Sequence, residues 1–392
     1  MTAEVDLDAF FGARPQVRED LLISPAVIRG PDRIHLLKVR GGKVFEVSPK
    51  EHFLISRLDG RRSLAEIGQE YADEYHRRLG TSHWSRLLWQ LEQRELLAGP
   101  GRERPPVPPG RLLRRVTSGA SWVFTRPSAV VIVVGLLVMY AAVVAQATSL
   151  WGAALPALGD WRSLAGLVAF IYVSGMLHEL GHAVAAVRFG CSDIRINLLI
   201  LSCRAEDYQF LESRRQQIVI AAAGGIVNSL MVVPFAIAWF SGWAPNGFVA
   251  AVVLAGSVQA LVNFVPLSPL DGYKVVSHLL GAVSLARESR RFLWSRARRW
   301  FGREVPEYAP PSRTALAVYG IAWHLLVGFS VVAGIAVVGG LLDTLIGPAG
   351  YGVATAAVVV VLSLWFAAQR GLPRRIGAQP TSERARDARS RH

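Results

Sequence analysis

Five consecutive residues carry the strongest chemical signal in this chain: His178-Glu179-Leu180-Gly181-His182, an HExxH pattern. On a helix, residues four apart share a face and lie about 6 Å apart along the axis. Two imidazoles at that spacing can reach one tetrahedral metal ion, and zinc is the ion the pattern suits. Glu179 then stands beside the metal, where it can act as general base towards water. The chemistry indicated is metal-assisted hydrolysis. A tetrahedral catalytic zinc takes three protein ligands and leaves a fourth position open. The third ligand is expected at Asp271, in the run Asn263-Phe-Val-Pro-Leu-Ser-Pro-Leu-Asp271-Gly272. Taken alone, that Asp-Gly would read as a helix-ending turn; beside HExxH the ligand reading is preferred.

The elements that must position these groups are apolar. Of the 392 residues, 52% are hydrophobic, which is high for a soluble protein. Apolar runs at bilayer length, roughly 20 helical residues, recur at about 128–148, 163–187, 218–240, 247–266, 315–340 and 351–369. The net charge of +14 collects between and beyond them. Arg111, Arg114, Arg115 and Arg126 precede the first run, and Arg188 to Arg215 follow the second. A dense set from Arg287 to Arg303 separates the fourth and fifth, and Arg370, Arg374 and Arg375 follow the sixth. The alternate loops, near 149–160, 241–246 and 341–350, hold no Lys or Arg. This is a positive-inside pattern, with both termini expected on the cytoplasmic side of a bacterial membrane. Residues 1–30 lack an apolar h-region, so no signal peptide is expected. The second and fourth runs then cross in the same direction, which puts HExxH and Asp271 at similar depth. An ionisable residue inside a span is costly and marks a functional site. Pro266 and Pro269 interrupt the backbone beside Asp271, which membrane depth tolerates only where protein or water lines a cavity.

The flanking sequence divides as 1–98, a soluble domain; 99–127, a Pro/Gly and basic linker; 128–369, the transmembrane domain; and 370–392, a basic tail. Ile34–Val39 and Val44–Val47 read as strands around the Arg40-Gly41-Gly42-Lys43 turn. A helix is expected from near Pro49 to Asp59-Gly60, and Ser63-Leu64-Ala65-Glu66 fits a capping box that opens a second. A third follows Thr81-Ser82, with Leu87, Leu88 and Leu91 on one stripe. The paired prolines of 99–110 predict an N-terminal domain mechanically separate from the transmembrane part. Cys191 and Cys203 form no CxxC pair and are expected to stay reduced. The fold class is thus an all-α polytopic membrane protein of about six transmembrane helices, with a small α+β winged-helix-like N-terminal domain. The arginines of 287–303, interleaved with Phe292, Trp294 and Trp300, suit anionic lipid better than nucleic acid. His324, in the fifth run, reads as a bundle histidine rather than a fourth ligand.

HELGH in one span and NFVPLSPLDG after a later one resemble the site-2 protease family of intramembrane zinc metalloproteases, over roughly residues 161–280. The resemblance implies a three-span catalytic core and cleavage of peptide bonds in or near the membrane. It implies that Asn263, in the NxxP part of the motif, helps orient substrate. Gly224-Gly225-Ile226-Val227-Asn228 is similar to the family's Gly-x-x-x-Asn element, which would put Asn228 in the active site; helix packing through small residues accounts for the glycines equally well. The chain has no room for the PDZ domain of many bacterial members. The segment 191–217 is strand-like over Ile194–Leu201, and the resemblance implies a hairpin that presents extended substrate by strand addition. Val44–Val47, Phe53–Gly60 and Ser63–Ile67 resemble PqqD-like modules that recognise peptide leaders; a regulatory or nucleic-acid-binding winged helix is the alternative. The expected function is zinc-dependent endoproteolysis, removing the leader of a ribosomally made, modified precursor peptide. The alternatives are release of a membrane-tethered regulator and, without catalysis, peptide binding for export or immunity. The expected partners are a peptide or protein substrate and membrane lipid, with Zn2+ as cofactor and nucleic acid disfavoured.

Overall fold

A computed structural model describes residues 7–371, apart from 103–104, 303, 305–306, 309 and 348. Arg303 and the basic tail from 372 onward, with Arg374 and Arg375, lie outside the described residues. The chain divides into two compact units, Met1–Gly320 and Ile321–His392.

The first unit begins with the short helix Leu7–Gly12, followed by a sheet and three further helices. Asp32–Val39 pairs antiparallel with Val44–Val47, His35 opposite Val47, so the expected hairpin is present. Two strands that sequence patterning does not reveal, Leu21–Ile23 and Val27–Arg29, pair with the other edge of Asp32–Val39. At three residues each they are too short to show alternation. The helices are Pro49–Ile55, Leu64–Tyr75 and Thr81–Gln93. Ser63 and Glu66 close the expected capping box, and Ser48 with Glu51 closes another. Alternation along the long strand explains why its second half is buried throughout. Leu37 and Val39 face the helices and pack with Ile55, Leu58, Leu64, Ile67 and Trp84. Leu36 and Lys38 face the other way, onto the apolar part of the chain: Lys38 Nζ meets Glu206 at 2.6 Å.

That second face contradicts mechanical separation. Ile28 N–H donates to Gly281 O at 2.7 Å, and Val283 N–H donates back to Ile28 O at 3.2 Å. Arg214 donates to Ala26 O at 2.7 Å, and Arg40 bonds Ser192 and faces Asp207. Glu288, fully buried, accepts from Gly30 N–H at 3.0 Å. The prolines of the linker set the stiffness of the covalent path. They do not report the non-covalent pairs that hold the two parts together.

Among the described residues, four helices are long and apolar enough to cross a membrane: Arg126–Ala145, Trp161–Arg188, Arg214–Phe240 and Ser312–Gly340, the last within Pro310–Ile346. The two other expected spans correspond to Gly247–Asn263, which is shorter, and Ala349–Gly371. Gly247–Asn263 has 17 residues. It therefore reaches roughly 25 Å of a hydrocarbon layer about 30 Å thick. It stops short of the expected 266 because Pro266 cannot continue the ladder. The segment expected as a loop at 149–160 is instead helical, Ala147–Leu158, and buries Leu150 and Ala154 against Met139, Phe170 and Val232. The basic helix Arg111–Gly119 is a further addition.

The Glu288 anchor yields a test. Glu288→Ala leaves the Gly30 N–H without its acceptor, at a cost of about 1–3 kcal/mol. Hydrogen exchange at Ile28 and Gly30 is expected to accelerate while that of Leu64–Tyr75 stays unchanged. Unaltered exchange at Ile28 and Gly30 would contradict this docking of the sheet.

Candidate metal centre

The HExxH segment lies in the second half of the helix Trp161–Arg188, on a face turned towards Arg214–Phe240. Helices approach closely only where side chains are small. A Cβ on Gly181 would come within 2.7 Å of Val227 Cγ2 and 3.2 Å of Ala223 O. A Cβ on Gly224 would stand 2.5 Å from His182 Nε2 and 2.6 Å from His178 Nε2. Gly224 therefore backs onto both imidazoles, and the crossing depends on a bare backbone there.

Asp271 arrives from the opposite side, as the first residue of the helix Asp271–Leu280. The chain reaches it through Pro266 and Pro269, whose rings end the preceding helix. Gly272 presses against the backbone of Phe264 and Val265, closer than any Cβ would permit. This fixes the helix start and aims the carboxylate at the histidines. Asp271 Oδ2 lies 2.9 Å from His178 Nε2 and 2.9 Å from His182 Nε2, and the two nitrogens are 3.2 Å apart. All three residues are buried.

Neighbouring groups orient the triad. His182 Nδ1 lies 2.7 Å from Ile220 O, so it carries the proton and leaves the Nε2 lone pair facing Asp271. Lys274, one turn on, donates to Asp271 Oδ1 at 2.8 Å. Burial alone would raise the Asp271 pKa, but the bonds to His178 and His182 and the Lys274 charge outweigh it and hold the carboxyl below the usual carboxylate range. Three acceptor atoms this close repel one another unless a shared cation or proton lies among them. The triad could hold a metal ion.

Glu179 lines a cavity of about 470 Å3 together with His182, Asp271, Lys274 and Cys203. One wall is the strand Ser202–Ala205, which pairs with Ile194–Asn197, Ile194 opposite Ala205. The strand-like reading of 194–201 is thus half right: residues 198–201 make the turn, and the second strand comes after it. Burial, and then Glu179, push the Cys203 thiol up to about 12, and Cys203 is not part of the triad; Cys191 is likewise a free thiol.

Asn263 and Asn228 do not line this cavity. Asn263 turns its amide back to Gln259 O at 3.2 Å. Asn228 is buried one turn past Gly224 and accepts from Ser174 Oγ at 3.1 Å, bracing the HExxH helix one turn before His178. His324 packs edge-on against Trp323 and is no member of the triad. Sequence reasoning missed Lys274, whose i,i+3 spacing from Asp271 was a usable signal. It also missed Ile220 O, for which a backbone atom gives none.

No family model, curated protein or solved structure matches the chain.

Gly224→Ala tests the centre directly. The added methyl occupies space against both Nε2 atoms, so metal content of the purified protein, read by mass spectrometry, is expected to fall at least as far as in His178→Ala. Circular dichroism is expected to show helicity retained, and full metal occupancy in Gly224→Ala would contradict the assigned geometry.

Proposed function

We propose that this chain is an intramembrane zinc metalloendopeptidase of site-2 protease type. The observation that carries the proposal is the convergence of His178, His182 and Asp271 beside a cavity that Glu179 also lines. Zinc suits the donor set. Two imidazole nitrogens and one carboxylate oxygen at bond lengths of about 2.0 Å would lie roughly 3.3 Å apart around a tetrahedron. The separations of 3.2, 2.9 and 2.9 Å are close to that. Bound there, zinc supplies a Lewis acid that polarises a carbonyl and lowers the pKa of water.

The protein's own groups supply the rest. Glu179 takes a proton from the attacking water and passes it to the leaving amide nitrogen. His182 keeps its orientation through Ile220 O, and Asp271 keeps its charge through Lys274. Among the described residues, Ser202–Ala205 pairs only with Ile194–Asn197, so its other edge has no strand partner and is where an extended peptide would add. An extended segment added there passes along the wall of the cavity, and its amide bonds are free of helical hydrogen bonding. The apolar helices and the distribution of arginines between them support a bacterial cytoplasmic membrane as the location, with the termini on the inner side.

The substrate we propose is a ribosomally made precursor peptide, recruited by the N-terminal domain in a PqqD-like, winged-helix mode and cut to release its leader. The docking of that domain through Lys38, Arg40 and Ile28 beside the cavity supports recruitment close to the site of cleavage.

Two experiments test these readings separately. Glu179→Ala is expected to keep its metal and to lower peptide cleavage by about 10²–10⁴-fold, the usual span for a general base. Undiminished turnover, followed by mass spectrometry on co-expressed peptides, would remove Glu179 from the role. Deleting residues 1–98 is expected to abolish cleavage of a leader-bearing precursor without changing metal content. Equal cleavage by the truncated chain would end the recruitment idea and leave the protease reading intact.

A further inference from the structure

Between the N-terminal sheet and the helix Asp271–Leu280 lies a second cavity, of about 150 Å3. It has room for about five water molecules, or for one side chain of that size. It adjoins the cavity beside the triad: Tyr208, Gln209 and Lys274 line both.

The chemistry of its walls is one-sided. Among the described residues no Asp or Glu lines it, while Arg214 and Lys274 bring positive charge. The Arg214 guanidinium lies over Gly281, at 2.5 Å from where a Cβ would be, and donates to Ala26 O. It has no carboxylate partner among the described residues. Lys274 is tied to Asp271 Oδ1 at 2.8 Å and so sits at the junction of the two cavities. Ser277 Oγ is buried without a hydrogen-bond partner, although Ser277 lines the cavity. His278 reports the local field: burial, then the charges of Lys274 and Arg214, hold its imidazole down to about 4, so it adds no charge of its own at neutral pH. A recess lined by Arg214 and Lys274, with no acid among its described lining residues, selects an anionic, hydrogen-bond-accepting group.

We propose that this cavity is a carboxylate subsite, which takes a carboxylate of the peptide whose backbone lies in the adjoining metal cavity. The inference rests on the peptidase reading for its ligand class. The carboxylate comes from an acidic side chain near the scissile bond or from the end of the peptide chain, and the two sources can be separated. A peptide anchored here is held between the N-terminal domain and the Asp271–Leu280 helix, which makes the docked domain part of the substrate site.

The test uses the full-length Glu179→Ala protein in lipid nanodiscs, so that binding is read without cleavage. Three short alanine-based peptides are compared by fluorescence anisotropy. One has a single Glu and blocked ends, one has Gln in its place, and one has Gln with a free C-terminal carboxylate. Binding roughly tenfold or more tighter than the blocked Gln peptide is expected for one of the two carboxylate peptides, as befits a charged hydrogen bond, and the winner identifies the source. That preference should fall in Arg214→Gln, survive in Arg214→Lys, and vanish in Ser277→Phe, which fills the recess. Equal binding of all three peptides overturns the proposal, as does a preference that persists in both Arg214→Gln and Ser277→Phe. A wild-type chain that cleaves nothing but keeps the Arg214-dependent preference would refute the protease reading and spare the subsite; cleavage without any preference would do the reverse.

Discussion

The constraint on which the rest depends is the close crossing of Trp161–Arg188 over Arg214–Phe240. Gly181 on one helix and Gly224 on the other remove the side chains that would keep the backbones apart. This lets Ile220 O reach His182 Nδ1 and leaves both Nε2 atoms facing inward. Without the crossing, His182 would have no carbonyl to fix its tautomer. Ser174 and Asn228 brace the same crossing one turn further along. The third ligand depends on an equally tight contact, Gly272 against Phe264 and Val265. Three glycines thus define the position of three candidate ligands, although none of them offers a donor atom.

The two faces of one strand are put to different uses, and this has a second consequence. Asp32–Val39 gives Leu37 and Val39 to its own helical layer and Leu36 and Lys38 to the neighbouring part of the chain. A sheet buried on both faces is a joint as well as a core. Here the joint lies alongside the loop and hairpin that wall the metal cavity, through Glu206, Asp207 and Gly281. Under the proposed function, a domain fixed in that place would deliver a peptide to the triad at short range, whereas one on a free tether would depend on the reach of its linker.

Much of this was legible in the residues. HExxH announces its own geometry because the helical repeat alone puts His178 and His182 on one face, and Asp271 stands in a motif whose prolines forbid a regular helix. The capping box at Ser63 and Glu66 and the hairpin at Arg40–Lys43 also read directly, since each is set by local hydrogen bonding and turn chemistry. What could not be read was long-range or borne by the backbone. Nothing in the sequence says that Ile28 pairs with Gly281, that Glu288 reaches Gly30, or that Ile220 offers its carbonyl. The helix Ala147–Leu158 was hidden because an apolar stretch after a span looks the same as a loop near a bilayer. Asn263 carried the expected motif but spends its amide on its own helix at Gln259 O, a local bond that composition cannot distinguish from one to a ligand.

The central claim is that His178, His182 and Asp271 together hold one zinc ion. X-ray absorption at the zinc edge of the purified full-length protein addresses it directly. The expected spectrum is that of four-coordinate zinc with only nitrogen and oxygen neighbours at about 2.0–2.1 Å, including two imidazoles. A sulfur neighbour at about 2.3 Å, or zinc without imidazole scattering, would contradict it.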